Sequence, residues 1–154
     1  MGKEKVLIIL GSKSDLEAVS GCGELLKKLG VEYRQEISSA HRRPAATIEL
    51  VKKAEADGVQ VIIAAAGMAA HLPGFVASQT TLPVIGVPLA GSALGGMDSL
   101  LSIVQMPAGV PVATMTIGSH GAKNAALLAV QILALCDIEL KKKIEAYRRE
   151  LGGV

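Results

Sequence analysis

Short apolar runs alternate along the chain with longer segments in which apolar residues recur every three or four positions. The short runs have the length of buried strands, and the longer segments have the period of amphipathic helices. Strands are predicted at residues 5–10, 31–37, 60–65, 83–87 and 111–117. Helices are predicted at residues 16–29, 44–57, 97–105, 123–135 and 138–151, with a short helix beginning near Pro73.

Strands that alternate with helices predict one parallel sheet covered on both faces. We therefore expect an α/β fold, a three-layer αβα sandwich with a flavodoxin-like sheet of about five strands. The chain of 154 residues fits a single domain, residues 1–154, and contains no internal repeat or linker.

Local signals mark the helix ends. Ser14, with Glu17 three residues later, has the spacing of a capping box for the first helix. Pro44 stands at a first-turn position of the second helix. Gly21 and Gly23 lie inside the first helix, where each costs about 1 kcal/mol relative to Ala. The sequence offers no reason for these two glycines.

The composition indicates a core of small aliphatic side chains and a surface that is partly covered. Half of the residues are hydrophobic, but Tyr33, Phe75 and Tyr147 are the only aromatic ones. The mean hydropathy is positive, at +0.43, and only 19% of the residues are charged. We therefore expect some apolar surface to be buried between subunits.

Charge and cysteine usage bear on the partners and the compartment. The net charge of +2 comes without a basic stripe, so no nucleic-acid partner is expected. The longest apolar run, residues 61–70, is about half of the roughly 20 residues that cross a bilayer, so no membrane segment is expected. The N-terminus does not match a signal peptide either, because its apolar part is too short.

Cys22 and Cys136 are isolated, which predicts reduced, packed thiols and a cytoplasmic protein.

Polar residues follow the first three predicted strands, in loops at residues 11–15, 38–44 and 67–74. In an open parallel sheet, ligands bind beyond the carboxyl ends of the strands. We therefore expect the Ser, Asp, His and Arg side chains of these loops to converge at one edge of the sheet.

The first loop allows a structural and a functional interpretation of each residue. Ser12 serves either a turn or an anion site made with the amides of a helix start. Asp15 is favourable in a first helical turn in any case, and it is equally suited to bind a sugar diol.

The second loop indicates anion binding next to a proton carrier. Arg42 and Arg43 precede a helix start, where the helix dipole disfavours cations, so a phosphate is the natural partner. His41 lies beside them, and an imidazole exchanges protons near neutral pH. For His71 a structural and a catalytic role remain equally open, and His120 is interpreted as loop or cap chemistry.

Several motifs are absent from the chain. There is no Walker A pattern and no GxGxxG after a strand, so neither ATP nor a dinucleotide is expected. There is also no cluster with metal-ligand spacing and no GxSxG elbow. The residues therefore predict a small phosphorylated or anionic ligand and proton transfer without a cofactor.

The loop motifs resemble those of one family, the catalytic subunit of phosphoribosylaminoimidazole carboxylase, which in bacteria is the N5-carboxyaminoimidazole ribonucleotide mutase of purine synthesis. The similar segments are GSKSD at 11–15, SAHRRP at 39–44, AAGMAAHLPG at 65–74, TLPVIGVPL at 81–89, GMDSLLSIVQMPAGVPVATMTIG at 96–118 and GAKNAALLAVQILAL at 121–135. They cover nearly the whole chain in the family's order.

This resemblance implies a reaction that moves a carboxylate from nitrogen to a ring carbon without ATP, metal or biotin. It implies His41 as the general acid and base, and Asp15 as the ligand of the ribose hydroxyls. The implied phosphate ligands are Ser12, Ser39 and Arg42, and the implied walls of the base and carbon dioxide pocket are Ala66, Gly67 and Leu72, with Gly11, Ser14, Ala40 and His71 as further pocket residues. It also implies a homo-octamer with active sites near subunit contacts, and we expect the helix at 138–151 to pack at an interface.

The chain departs from the family pattern in its third loop. Ala65 and Met68 stand where glycine is common, and Phe75 stands where methionine is common. If Met68 has a positive φ its backbone is strained, and if its side chain enters the pocket it changes affinity or specificity. Arg43, where threonine is frequent, is expected to matter less.

Three other functions remain as alternatives: a sister carboxylase that uses carbon dioxide directly, a non-catalytic nucleotide-binding relative, and a flavodoxin-like electron carrier. The last is disfavoured because the chain has few aromatic residues to stack on a flavin.

Overall fold

The computed structural model describes residues 3–152. The strands are β1 (Val6–Leu10), β2 (Tyr33–Ile37), β3 (Val61–Gly67), β4 (Val84–Leu89) and β5 (Ala113–Thr114). The helices are α1 (Leu16–Leu29), α2 (Pro44–Asp57), α3 (Leu72–Ala77), α4 (Met97–Val104), α5 (Ser119–Leu133) and α6 (Ile138–Glu150). Of the helices described in residues 3–152, none is long and apolar enough to cross a membrane.

The five strands form one parallel sheet in the order β2-β1-β3-β4-β5. This is the flavodoxin-like order, and the predicted fold class is confirmed. Strand order reverses at β1, which lies between β2 and β3. The chain passes from β1 to β2 on one side of this point and from β3 to β4 on the other. The loops after β1 and β3 therefore diverge and leave a crevice at the carboxyl ends of these strands.

Two apolar clusters, one on each face of the sheet, form the core. Successive side chains of a strand point to opposite faces, so Ile8 and Ile63 pack with α1, α5 and α6. Leu7 and Ile62 pack on the other face with α2, α3 and α4. All four side chains are fully buried. The predicted three-layer sandwich follows from this two-sided burial.

Two predicted boundaries in the C-terminal third are wrong. The fifth strand was expected over 111–117 but consists only of Ala113–Thr114. Pro111 has no N–H to donate to a neighbouring strand, which accounts for the late start. The fifth helix begins at Ser119 rather than at residue 123, because Gly118, at φ 81°, turns the chain directly into it. His120 therefore lies in the first turn of α5. In the first half, β2 begins at Tyr33 instead of residue 31.

The two cysteines differ in their surroundings. Cys22 is fully buried in α1, and burial raises the pKa of its thiol to about 12, so it packs as a neutral side chain. Cys136 is exposed in the turn between α5 and α6, so the prediction of a packed thiol is wrong there. Both are free thiols.

Close packing of α1 explains the glycine at residue 23. A Cβ added to Gly23 would lie 2.3 Å from the Oη atom and 2.8 Å from the Cζ atom of Tyr33. A Cβ added to Gly21 would meet only the aliphatic part of Lys123, at 2.8 Å from Cε. The Lys123 side chain is flexible and can move aside, whereas the Tyr33 ring is rigid, partly buried and packed against the core cluster.

We therefore expect Gly23→Ala to lower the free energy of unfolding by about 1–3 kcal/mol through overpacking. Gly21→Ala serves as the matched control and is expected to raise it by up to about 1 kcal/mol through helix propensity. Urea unfolding at one protein concentration measures both values. Equal effects of the two substitutions would contradict this account of α1.

Candidate active site

Three loops meet at the carboxyl ends of β1, β2 and β3 around a cavity of about 520 Å³. The twelve residues that the family resemblance assigned to the site all line it: Gly11, Ser12, Ser14, Asp15, Ser39, Ala40, His41, Arg42, Ala66, Gly67, His71 and Leu72. The cavity lies at the point where strand order reverses, as expected for an open parallel sheet. The expected convergence of the loops is therefore observed.

In the first loop, the capping box predicted at Ser14 is wrong, because Ser12 caps a short 3₁₀ turn and α1 itself has no side-chain cap. The Ser12 Oγ atom accepts a hydrogen bond from the Ser14 N–H at 3.3 Å, and Asp15 Oδ2 accepts one from the Ser12 N–H at 2.9 Å. A single 3₁₀ turn, Lys13–Asp15, precedes α1, and the capping box lies two residues closer to the N-terminus than predicted. The Ser14 hydroxyl is left to donate to the Ser12 oxygen at 2.9 Å.

Asp15 is half-buried where this loop enters the cavity. Burial raises the pKa of its carboxyl group, and hydrogen bonds from the Ser12 N–H and the Ser14 hydroxyl offset part of that rise. Its Oδ2 atom already accepts one hydrogen bond, whereas Oδ1 has only a long 3.5 Å contact with the Ser14 hydroxyl. Asp15 is therefore a carboxylate with accepting capacity left for a ligand that donates hydrogen bonds.

The second loop is tied both to α2 and to the first loop. Buried Ser38 forms a 2.6 Å hydrogen bond with the Thr47 hydroxyl of α2. The Arg42 guanidinium donates to the Ser39 hydroxyl at 3.3 Å and to the Gly11 carbonyl at 3.5 Å. Both bonds are long, and the Arg42 side chain stays exposed where it lines the cavity.

Arg43 is placed differently from its neighbour. Its side chain does not line the cavity, and it has no ion pair or side-chain hydrogen bond among the described residues. Its backbone is used instead: its N–H donates to the Ser39 carbonyl at 2.8 Å, and its carbonyl accepts from the Thr47 hydroxyl at 3.1 Å. Of the two adjacent arginines, Arg42 alone faces the cavity.

The third loop brings His71 against His41. Nδ1 of His71 and Nε2 of His41 form a hydrogen bond, and the rings meet edge to face with centroids 4.6 Å apart. Since one ring nitrogen of each histidine is used in this bond, the other nitrogen of His41 is free to reach a substrate. The second histidine, whose role was left open, is thus in direct contact with the proposed proton carrier.

The same loop contains two residues in unusual backbone conformations. Met68 has φ 55° and Ala70 has φ 27°. Both lie in the region that disfavours residues with a Cβ, so the strain foreseen for Met68 is confirmed. Met68 also lines the cavity, whereas Ala65 is buried in the core and Phe75 lies in α3 outside it. Of the three departures from the family pattern, Met68 alone reaches the site.

A fourth loop was missed. Gly91, just after β4, lines the cavity, and its backbone nitrogen would be 3.7 Å from a Cβ added to Gly67. The rule that gathered the other loops applies equally to β4, so the small residues at 90–92 were the available signal. Ala69 and Ala70 also line the cavity without having been singled out.

The cavity places a guanidinium, serine hydroxyls, a carboxylate and a histidine pair beside an apolar wall. Arg42 with the Ser12 and Ser39 hydroxyls suits a phosphate, and Asp15 suits two hydroxyl groups. Among residues 3–152 no group of three His, Cys, Asp or Glu side chains is placed to hold a metal ion. The arrangement suits a phosphorylated sugar whose attached ring reacts beside the histidines.

Comparison with known proteins gives this cavity a family context. The sequence profile described as AIR carboxylase matches residues 5–152. The chain belongs to the AIR carboxylase family. The resemblance noted in the loop motifs is therefore confirmed across nearly the whole chain.

Members of the AIR carboxylase family with high identity include three named N5-carboxyaminoimidazole ribonucleotide mutase. The protein of Saccharolobus solfataricus is 54% identical over 147 residues, covering 96% of this chain and 92% of its own. That of Bacillus subtilis is 55% identical over 141 residues, covering 92% and 87%. That of Escherichia coli K12 is 50% identical over 145 residues, covering 94% and 86%. The crystal structure of Treponema denticola PurE superposes with a TM-score of 0.87 at 32% identity, covering 96% of this chain and 90% of its own.

Proposed function

We propose that this protein is an N5-carboxyaminoimidazole ribonucleotide mutase. It converts 5-(carboxyamino)imidazole ribonucleotide (N5-CAIR) into 4-carboxy-5-aminoimidazole ribonucleotide (CAIR), a step of purine biosynthesis. The observation that carries this proposal is the placement of one paired imidazole, His41, in the same cavity as the anion clamp of Arg42. The names of the family members with high identity support the same reaction.

The chemistry needs one group that gives a proton and then takes it back. When the N–C bond of the carbamate breaks, its electron pair stays on nitrogen, which takes a proton from the His41 imidazolium. Carbon dioxide is then attacked by the electron-rich ring carbon C4, forming the new C–C bond. Neutral His41 removes the C4 proton, which restores the aromatic ring and the imidazolium. Atoms and charges balance without a cofactor, and imidazole suits both steps near neutral pH.

The other residues bind and enclose the substrate. The Ser12 and Ser39 hydroxyls and the Arg42 guanidinium hold the 5′-phosphate, and Asp15 accepts the ribose hydroxyls. The pocket for the base and carbon dioxide is formed by Ala66, Gly67 and Leu72, with Gly11, Ser14, Ala40 and His71 around it. Small residues let the backbone approach a flat ring and leave little room for water.

Asp15→Asn provides a test of the diol role. The amide cannot accept as strongly as a carboxylate, so we expect KM for CAIR to rise by about 10–100-fold. Although it weakens binding, the same substitution should raise the free energy of unfolding at neutral pH. Because the folded pKa of Asp15 is raised, the wild-type protein loses stability as pH increases from 3.8 through that higher pKa.

The asparagine variant lacks this loss, so its unfolding free energy relative to wild type should be greater at pH 7 than at pH 4. Urea unfolding at the two pH values and steady-state kinetics at pH 7 check both parts. An unchanged KM would remove Asp15 from the binding site.

An ultraviolet assay tests the function itself. Purified protein with CAIR, without ATP or added metal, is expected to convert it reversibly to N5-CAIR. Supplying aminoimidazole ribonucleotide and bicarbonate instead distinguishes a direct carboxylase, which would make CAIR at a rate set by dissolved carbon dioxide. If the protein binds CAIR but turns over neither substrate, it is a non-catalytic nucleotide-binding relative of the mutases.

A homo-octamer in the cytoplasm is the assembly and location we propose. Large apolar side chains that are more than half exposed support a subunit interface: Leu94, Met97, Leu101, Leu135 and Ile138. The last two flank the turn into α6, which we expect to pack against a neighbouring subunit. Analytical ultracentrifugation measures the assembly, and a monomer at micromolar concentration would contradict it.

A further inference from the structure

Met68 is strained and exposed at once, which is an unusual combination for a residue of this type. Its φ of 55° is disfavoured for any residue with a Cβ, and 61% of its surface is exposed. An exposed side chain contributes nothing to the core, so the fold itself gives no reason for a long apolar side chain on this strained backbone. Strained backbone of this kind clusters at ligand sites.

Its position within the cavity suggests what the side chain does. The polar groups that line the cavity come mainly from the first two loops, whereas the third loop supplies Ala66, Ala70 and Leu72. Leu72 is only 4% exposed and Met68 is 61% exposed, so Met68 is the exposed large apolar side chain of this loop. It lies three residues before His71, the partner of His41.

We infer that Met68 is the apolar cover of the reacting ring, which retains carbon dioxide between its release from nitrogen and its capture by C4. This inference rests on the proposed mutase reaction. Between those two steps the carbon dioxide is bonded to nothing, and only the walls of the cavity prevent its escape. An unbranched thioether chain adapts its shape to a ligand that changes during the reaction.

Loss of the cover has a defined chemical consequence. If carbon dioxide escapes after the N–C bond has broken and nitrogen has been protonated, the enzyme releases aminoimidazole ribonucleotide instead of CAIR. Carbon dioxide entering from solution would also be captured by C4 in place of the original molecule. Leakage is therefore measured by the ratio of the two products and by the origin of the carboxyl carbon.

The experiment is a single-turnover rapid quench with enzyme in excess over unlabelled N5-CAIR, in ¹³C-bicarbonate buffer containing carbonic anhydrase. Mass spectrometry gives the ratio of aminoimidazole ribonucleotide to CAIR and the ¹³C content of CAIR. Met68→Ala keeps the strained backbone but removes the cover, Met68→Gly removes both, and Met68→Leu keeps both.

We expect Met68→Ala and Met68→Gly each to increase the released fraction and the ¹³C content by about fivefold or more, with Met68→Leu within about twofold of wild type. An increase in the glycine variant alone would assign the effect to backbone strain and overturn the inference. An unchanged ratio in both small variants would overturn it too, while wild-type turnover would leave the mutase function standing. Absence of turnover in wild type would overturn the function and the inference together.

Discussion

His41→Asn is expected to lower kcat by about 10²–10⁴-fold, because asparagine can neither give nor take a proton at neutral pH. Binding of CAIR should change little, because asparagine remains polar and the phosphate and ribose contacts come from other residues. Steady-state kinetics measures the loss of turnover, and isothermal titration calorimetry with CAIR measures the affinity of the inactive variant.

His120→Asn is the matched control for this prediction. His120 is exposed in the first turn of α5 and does not line the cavity, so its replacement should leave kcat within about twofold. His71→Asn should fall between the two, with kcat lowered by about tenfold, because it removes the partner that orients the His41 ring. Turnover by His41→Asn that equals wild type would disprove the assignment of the proton carrier.

Arg42→Ala is expected to raise KM for CAIR by about 100-fold, since a charge-assisted hydrogen bond to phosphate contributes about 1.5–3 kcal/mol. A smaller change in kcat should accompany it, because the phosphate lies away from the reacting ring. Arg42→Lys should recover part of the affinity, because an ammonium keeps the charge but loses the planar fork that binds two oxygens.

Arg43→Ala is the internal control, one residue away and equal in charge. Its side chain does not line the cavity, so KM should stay within about twofold of wild type. Competitive inhibition by the nucleoside that lacks the 5′-phosphate makes the test sharper, because Arg42→Ala should not weaken binding of that compound. Equal losses from both arginine variants would indicate general surface charge instead of a phosphate clamp.

The sequence predicts those parts of the site that depend on strand order and on the residue types of the loops. Residues at the ends of parallel strands share one edge of a sheet, which suffices to bring Asp15, His41 and His71 together. The same rule was not extended to β4, so Gly91 was missed. The cap at Ser12 was also missed, because a one-turn 3₁₀ helix leaves no periodic pattern.

The pattern of apolar and polar residues by itself determined the alternation of strands and helices, the two-faced core and the edge where the polar loops meet, because these follow from periodicity and chain connectivity. Only the tertiary structure decided which atoms touch. The contact of His41 with His71 and the hydrogen bond from Arg42 to the Gly11 carbonyl depend on the approach of segments far apart in the chain. The positive φ of Met68 is not indicated by its residue type. Such contacts join loops that are distant in the chain, so local sequence does not encode them.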